Sequence, residues 1–440
     1  MSETPLDIRP PGPVLDIVRT LRQAGFDSWC VGGAVRDALL GHAHLDWDLA
    51  TSATPPQVRR LFERTVPVGI EFGTVGVLDG AGHMHEVTTF RRDVRHDGRH
   101  AVVEFGASLD EDLARRDFTI NAIAYDPIAR RIHDPFGGRG DLTARVVRAV
   151  GDPEARMLED RLRALRAIRF ASRFDFALDA ATWRAIVASA PFLPRLSPER
   201  VKQEIEKTME QVRRPSTAFR RWRDCGAFKS LVPALAEVGE QVLDAIDCLP
   251  APGAVTRPQR RGLRIAALLS DLTASDADGA MRALRFSNMD IALVGALVAR
   301  WQAEGPALTR DLCSANGVDD RAVRRLVSVV GRLRASAFVR LAAARWAAQR
   351  ASSDGSAIAP PLRRVRDLHR RVMRSSFRDP IAVSDLAIDG DDLRHAGVRG
   401  GPQIGATLGL LLEYVLDEPA RNTRDALLAH VAALMLSSPN

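Results

Sequence analysis

Asp46 and Asp48, separated by one residue, follow a Gly32-Gly33 pair and the run Ala34-Val35-Arg36-Asp37. On a strand, side chains at i and i+2 share a face, so Asp46 and Asp48 are expected to present two carboxylates to the same metal ions. Magnesium favours such a site and completes its shell with phosphate oxygens and water. Gly32 and Gly33 let a backbone approach a triphosphate closely, while the following helix N-terminus and Arg36 add positive potential. Each piece alone is common in proteins that do no such chemistry. Their order suggests a metal-dependent reaction at a nucleotide phosphate.

The elements that must hold these residues read as a small mixed sheet. Ser28 to Val31 is a short apolar run ending at the glycines, and Ala34 to Leu40 has helical spacing. Asp46 to Ala50 alternates polar and apolar residues, as a strand does. Thr54-Pro55-Pro56-Gln57 reads as a helix start, with Thr54 as the cap and Gln57 reaching back. Gly73 to Leu78 and Glu86 to Phe90 are rich in strand formers and close enough to be neighbours. From Leu158 onward the period becomes helical, with Leu158, Leu162, Leu165 and Ile168 expected on one face. Two Pro-, Gly-, Ala- and Ser-rich stretches, Leu249 to Arg261 and Ala351 to Pro361, are the candidate breaks.

Bulk properties set the frame. At 440 residues the chain exceeds the roughly 250 to 300 at which single cores stop growing. Hydrophobic residues make up 46%, yet no apolar run reaches the ~18 residues of a membrane span, so no membrane partner is expected. The polar, Pro-rich N-terminus argues against a secretory signal, and Cys30, Cys225, Cys248 and Cys313 form no CxxC pair; a cytoplasmic protein is expected. The net charge of +7, nearly all from arginine, is compatible with a polyanionic partner and equally with a genome that writes Arg for Lys.

Further motifs follow in a fixed order: Glu86-Val87-Thr88-Thr89-Phe90-Arg91, Arg115-Arg116-Asp117-Phe118-Thr119-Ile120-Asn121, Asp134-Pro135-Phe136-Gly137-Gly138, Glu159-Asp160-Arg161-Leu162-Arg163 with Arg166 and Arg169, and Ser197-Pro198-Glu199-Arg200 with Glu204. With the Gly-Gly and Asp-x-Asp segments, this resembles class II tRNA nucleotidyltransferases and bacterial poly(A) polymerases of the DNA polymerase β superfamily, closely over residues 28–210. The resemblance implies an α+β fold: a mixed-sheet nucleotidyltransferase head over 1–150, then a helical neck over 151–215, a helical body over 216–350 and a helical tail over 351–440. It implies magnesium on Asp46 and Asp48, CTP and ATP as substrates, and the tRNA acceptor arm as partner. Nucleotide-binding residues implied in the same way are Gly32, Gly33, Arg36, Arg116, Asp117, Asn121, Glu159, Asp160, Arg163, Arg166 and Arg169.

Base chemistry gives the arginine-rich segment a role beyond a surface Glu159 to Arg163 pair. Cytosine and adenine both present an amino donor beside a ring acceptor, whereas uracil and guanine do not. A carboxylate accepting from the amino group and a guanidinium donating to the ring nitrogen would select C and A without a template. The resemblance gives these roles to Asp160 and Arg163.

Other signals point in several directions. Arg92 to His100 occupies the place of a loop that the family needs for adding A, which favours full CCA addition over CC addition alone. Val66 to Val75 looks like the CCA type rather than the poly(A) polymerase type. A non-catalytic RNA-binding protein is the rival from another class, disfavoured by the paired aspartates. Glu86 is a candidate third carboxylate. Ser270-Asp271 has serine where a phosphohydrolase relative would need histidine, and His42/His44 and His83/His85 lack further ligands. The Asp389-Gly390-Asp391-Asp392 tail segment reads as a capped helix. Arg321, Arg324, Arg325, Arg332 and Arg334, and Arg363, Arg364, Arg366, Arg370 and Arg371, could grip RNA phosphates or serve as solvated faces.

Overall fold

The computed structural model describes residues 8–42, 46–96, 101–249, 257–352 and 359–437. It divides into two compact units, Met1–Ala236 and Glu237–Asn440.

The first unit opens with α1 (Gly12–Gln23), β1 (Ser28–Val31), α2 (Gly33–Leu39), β2 (Asp48–Thr51) and α3 (Pro55–Leu61). There follow β3 (Thr65–Gly69), β4 (Thr74–Leu78), β5 (Met84–Thr89), a hairpin of β6 (Arg91–His96) and β7 (Ala101–Phe105), and α4 (Leu109–Ala114). Strands β8 (Ala124–Asp126) and β9 (Arg131–His133) and helix α5 (Gly138–Ala144) complete the sheet region. The sheet has seven strands in the order β3-β4-β5-β2-β1-β8-β9, with β2 and β5 parallel and the other neighbours antiparallel. It is therefore mixed, as expected. Trp29, Val31, Ala50, Phe90, Leu113, Ala122, Ala124 and Val150 form a core against it.

Helices take over after β10 (Val146–Val147): α6 (Pro153–Glu159), α7 (Leu162–Phe174), a short β11 (Ala177–Leu178), α8 (Ala180–Ser189), α9 (Pro198–Gln211), α10 (Pro215–Asp224) and α11 (Ala227–Leu231). The expected stripe is broken. Leu162, Leu165 and Ile168 are buried, but Leu158 is 63% exposed because the helix ends at Glu159 and restarts at Leu162. Asp160 causes the break. Its Oδ1 accepts from the Leu162 amide at 3.0 Å, a side-chain bond that competes with the helical ladder.

Among the described residues the second unit contains helices and no strand: α12 (Glu240–Asp247), α13 (Arg257–Leu268), α14 (Ala274–Ala283), α15 (Asn288–Cys313), α16 (Asp320–Val330), α17 (Arg332–Ala351), α18 (Leu362–Arg378), α19 (Gly390–His395), α20 (Pro402–Asp417) and α21 (Arg424–Ser437). Ile388, Leu393, Val398, Leu411, Val415, Leu427 and Val431 form a core of its later helices. Asp389 caps α19, its side chain accepting from the Asp391 and Asp392 amides. Residues 250–256 and 353–358, within the two candidate breaks, lie outside the described residues, as do His44 and residues 97–100 of the Arg92 to His100 segment. Among the described residues no helix is long and apolar enough to cross a membrane.

Candidate active site

The site begins where β1 turns into α2. Gly32 has φ +74°, a left-handed conformation that side chains rarely adopt. A Cβ built there would lie 2.9 Å from Arg116 Nη1 and 3.6 Å from Asp48 Oδ2. The missing side chain thus leaves a gap that a cation and a carboxylate both face.

Asp48 is the first residue of β2 and half-buried, paired in register with Val31. Asp46 precedes the strand and is exposed. Alternation within one strand therefore does not place the two carboxylates, contrary to the sequence expectation; β2 starts two residues later than expected. Trp47 between them is buried, which anchors the segment. The parallel pairing of Leu49 with Val87 sets Glu86 beside Asp48, one step back along both strands.

Arg116 is steered by Asp112, whose Oδ2 accepts from Arg116 Nη2 at 3.2 Å, and Asp112 also holds Arg115 at 2.7 Å. Asp112 is 1% exposed. Burial opposes its ionisation, yet the adjacent Arg116 and Arg115 hold its carboxyl below the usual range. It went unnoticed in the sequence because Ser108 to Asp112 reads only as an acidic, capped helix start; Ser108 does cap α4, with Glu111 reaching back.

A second network runs inward from the turn. Arg36 is 3% exposed and donates to Asp37 Oδ1 at 2.7 Å and to Asn121 Oδ1 at 2.5 Å, with its guanidinium over Phe174 and Phe170. Burial lowers its pKa, with Asp37 opposing. Asn121 Nδ2 donates to Asp117 Oδ1 at 2.9 Å, and Arg166 meets Asp117 Oδ2 through Nε at 2.9 Å and Nη2 at 2.7 Å. Arg169 donates to Glu204 Oε2 at 2.6 Å, both side chains being buried. Motif residues far apart in sequence thus lock α2, the Arg115 to Asn121 loop, α7 and α9 together.

The base-selecting candidates lie at the α6 to α7 break. Glu159 holds Arg156 with one oxygen and Arg163 with the other, the latter at 2.6 Å. Arg163 Nη2 also donates to the Arg115 carbonyl at 3.0 Å, so its direction is fixed. Asp160 Oδ2 accepts from Arg200 Nη2 at 2.7 Å. Most site residues expected from the sequence therefore fall into three linked clusters in one unit: Gly32, Gly33, Asp48 and Arg116 at the turn; Arg36, Asn121, Asp117, Arg166 and Arg169 beneath; Glu159, Asp160 and Arg163 at the break. Asp46 stands exposed, two residues before Asp48.

Residues 28–148 match the family model described as "Poly A polymerase head domain", and residues 175–238 match "Probable RNA and SrmB- binding site of polymerase A". Over 424 residues, 94% of this chain and 95% of the relative, the sequence is 35% identical to the CCA-adding enzyme of Geobacillus kaustophilus. The chain belongs to the CCA-adding enzyme family. It is 48% identical to a second family member, from Geobacillus stearothermophilus, over 197 residues; that match spans about half the length of the relative, 48%. Among solved structures, the Bacillus stearothermophilus CCA-adding enzyme in complex with CTP superposes with a TM-score of 0.75 at 31% identity, covering 99% of both chains.

The other expectations resolve locally. His85 and His83 both meet Asp79 rather than a metal set. Asp271 pairs with Arg345, and the neighbouring Ser270 hydroxyl donates to the Ala267 carbonyl. The arginine runs of the second unit divide. Arg324 donates to the Leu416 and Asp417 carbonyls at the end of α20, Arg325 pairs with Glu413, Arg332 with Asp385 and Arg371 with Asp320, while Arg364 holds the Leu312 and Ala315 carbonyls. Arg363, Arg366 and Arg370, the last also paired with Asp367, line a cavity of about 760 Å³ with Arg340 and His369.

Proposed function

We propose that this chain adds CCA to tRNA 3′ ends from CTP and ATP, by in-line attack of the RNA 3′-hydroxyl on the α-phosphate with pyrophosphate leaving. Membership of the CCA-adding family supports the reaction. The observation that carries the assignment of residues is the gap at Gly32, faced by Asp48 and Arg116. The donor set fits magnesium, a hard ion that takes one or two carboxylates and fills its shell from phosphates and water. No group of three or more His, Cys, Asp or Glu side chains gathers among the described residues, and such a site requires none. Asp46 and Asp48 would hold the ion, which when bound supplies Lewis acidity and charge neutralisation at the reacting phosphate.

The protein's own groups do the rest by position and charge. Gly32 and Gly33 admit the triphosphate to the backbone, and Arg116, aimed by Asp112, meets its negative charge. Asp160 accepts from the amino group of C or A while Arg163, fixed by Glu159, donates to the ring nitrogen. Arg166 faces the nucleotide from α7. Arg36, Asp117, Asn121 and Arg169 act through these residues by fixing the loop and helix that carry them.

The reading extends to the whole chain: a catalytic head over 1–150, a neck over 151–215, a body over 216–350 and a tail over 351–440 that binds tRNA. Arg340, Arg363, Arg366 and Arg370 supply a phosphate-binding face in the second unit. Four unbridged cysteines agree with a cytoplasmic protein.

The deciding experiment incubates purified protein and Mg²⁺ with tRNA transcripts ending before CCA, after C or after CC, supplies CTP, ATP or both, and reads product lengths on a sequencing gel. Two C and one A, then arrest, is the expected product, absent from an Asp46→Ala, Asp48→Ala variant. Arrest at CC would make it a CC-adding enzyme, long A tails a poly(A) polymerase, and tRNA binding without extension a silent binder.

A further inference from the structure

One basic cluster of the first unit has no part in the site just described. Arg161 directly follows Asp160 in the chain, yet it turns away from the base-selecting pair. Its guanidinium lies over the Phe192 ring, 4.7 Å from the centroid, and its Nη1 donates to Ser189 Oγ at 3.1 Å. Arg195 lies over the same ring at 5.1 Å. Among the described residues neither guanidinium meets a carboxylate, although nearly every other arginine near the nucleotide site is ion-paired. Phe192 remains 39% exposed and Arg195 is exposed.

Two like charges gathered on one exposed ring repel each other, and an anion seated between them would relieve that repulsion. Burial and the Arg195 charge both lower the Arg161 pKa, a sign of the same unrelieved repulsion. We propose that Arg161, Phe192 and Arg195 form a subsite for the phosphodiester backbone of the RNA 3′ strand, next to the incoming nucleotide.

The chemistry favours RNA over the triphosphate. The triphosphate site is at the Gly32 turn, whereas this cluster rests on the end of α8, which packs on α6, and on the 3-10 turn Ala190–Arg195, which packs on α11. Single-stranded RNA alternates phosphates with bases, and guanidinium planes beside a half-exposed ring accept both. Arg161 follows Asp160 directly in the chain, so the cluster starts from the same α6 to α7 break that carries the base-selecting candidates. The inference rests on the function proposed above.

The test uses the full chain and a tRNA transcript lacking CCA, with RNA affinity measured across a KCl series and KM for CTP measured at saturating RNA. In an Arg161→Ala, Arg195→Ala variant the RNA Kd should rise about tenfold. The slope of log affinity against log salt should flatten by about 0.7 for each phosphate lost. KM for CTP should stay within about twofold of wild type. Phe192→Leu, which keeps both charges, should weaken RNA binding while leaving the slope unchanged. Arg195→Ala alone, which removes an exposed side chain that meets no carboxylate, covers the case in which the double variant folds poorly. Unchanged RNA affinity and slope would overturn the proposal, and so would a rise in KM for CTP at unchanged RNA affinity, which would assign the cluster to the triphosphate. Failure of the wild-type chain to extend RNA would instead overturn the function on which it rests.

Discussion

Arg200, near the start of α9, donates to one carboxylate oxygen of Asp160 at 2.7 Å, while the Leu162 amide donates to the other at 3.0 Å. The two bonds fix the carboxylate plane and with it the directions of the lone pairs that remain on each oxygen. If Asp160 accepts from the amino group of C and A, Arg200 sets the angle at which it does so without touching the base.

Arg200→Ala should therefore damage selection more than folding. A hydrogen bond to a charged group contributes about 1.5 to 3 kcal/mol, so kcat/KM for CTP should fall roughly 10- to 150-fold. Incorporation of UTP relative to CTP should rise, and Arg200→Lys should restore part of the discrimination. Single-turnover assays with each triphosphate measure this; equal losses for all four bases would give Arg200 a merely structural role.

Substitution of the turn glycine tests the gap itself. Gly32→Ala places a Cβ 2.9 Å from Arg116 Nη1 at φ +74°. Backbone strain at this positive φ, with ψ −133°, costs about 1 to 3 kcal/mol, visible as a lower Tm. The displaced guanidinium should cost more in activity, about 100-fold in kcat with the RNA Kd unchanged. Near-normal turnover would mean that Arg116 does not face the nucleotide.

How far the sequence led depends on the kind of interaction. The sheet region was legible because short apolar runs end at glycines and at the Thr54 cap, whose amide donates to Gln57 Oε1 at 2.8 Å as expected. The residue types of the site were legible because their spacing repeats a known order. Periodicity misled at Leu158, since no hydrophobic pattern encodes the side-chain bond by which Asp160 ends α6. The start of β2 was misplaced for a similar reason: Asp46 to Ala50 alternates, but pairing begins only at Asp48 opposite Val31. Long-range pairs such as Arg36 with Asn121 or Arg169 with Glu204 leave no local signature, and neither does Asp112, whose partners decide its role.

The buried carboxylates predict an acid limit. Burial disfavours the ionised form of both Asp112 and Asp117. The charges of Arg116 and Arg115 for the first, and of Arg166 with the Asn121 amide for the second, outweigh it and leave both below the ordinary value. A depressed folded pKa contributes stability that is fully present above the unfolded value near 3.9 and is lost as pH falls through the folded value. Stability of the first unit should thus be insensitive to these groups above about pH 5 and decline below about pH 4. Asp117→Asn should lower stability at pH 7 by about 1 to 3 kcal/mol and flatten the acid limb. Urea titrations between pH 3 and 7 measure both; an unaltered acid limb would remove Asp117 from the account.

The cavity between α17 and α18 predicts a salt and pH signature of RNA binding. Arg363, Arg366 and Arg370 recur on one face of α18 opposite Arg340, and His369 lies among them. Burial, and then the charge of Arg340, lower the His369 pKa. A bound phosphate would reverse the second effect and favour the imidazolium, so RNA binding should take up a proton and tighten as pH falls from 7.5 to 6. If this face grips phosphates, replacing Arg340, Arg363 and Arg366 with Ala should reduce the salt slope by about 2 to 3 and weaken tRNA binding at every salt concentration. His369→Gln should abolish the pH dependence while leaving the salt slope near that of wild type. A slope unchanged by the arginine substitutions would mean that these side chains are a solvated face and that tRNA is held elsewhere on the chain.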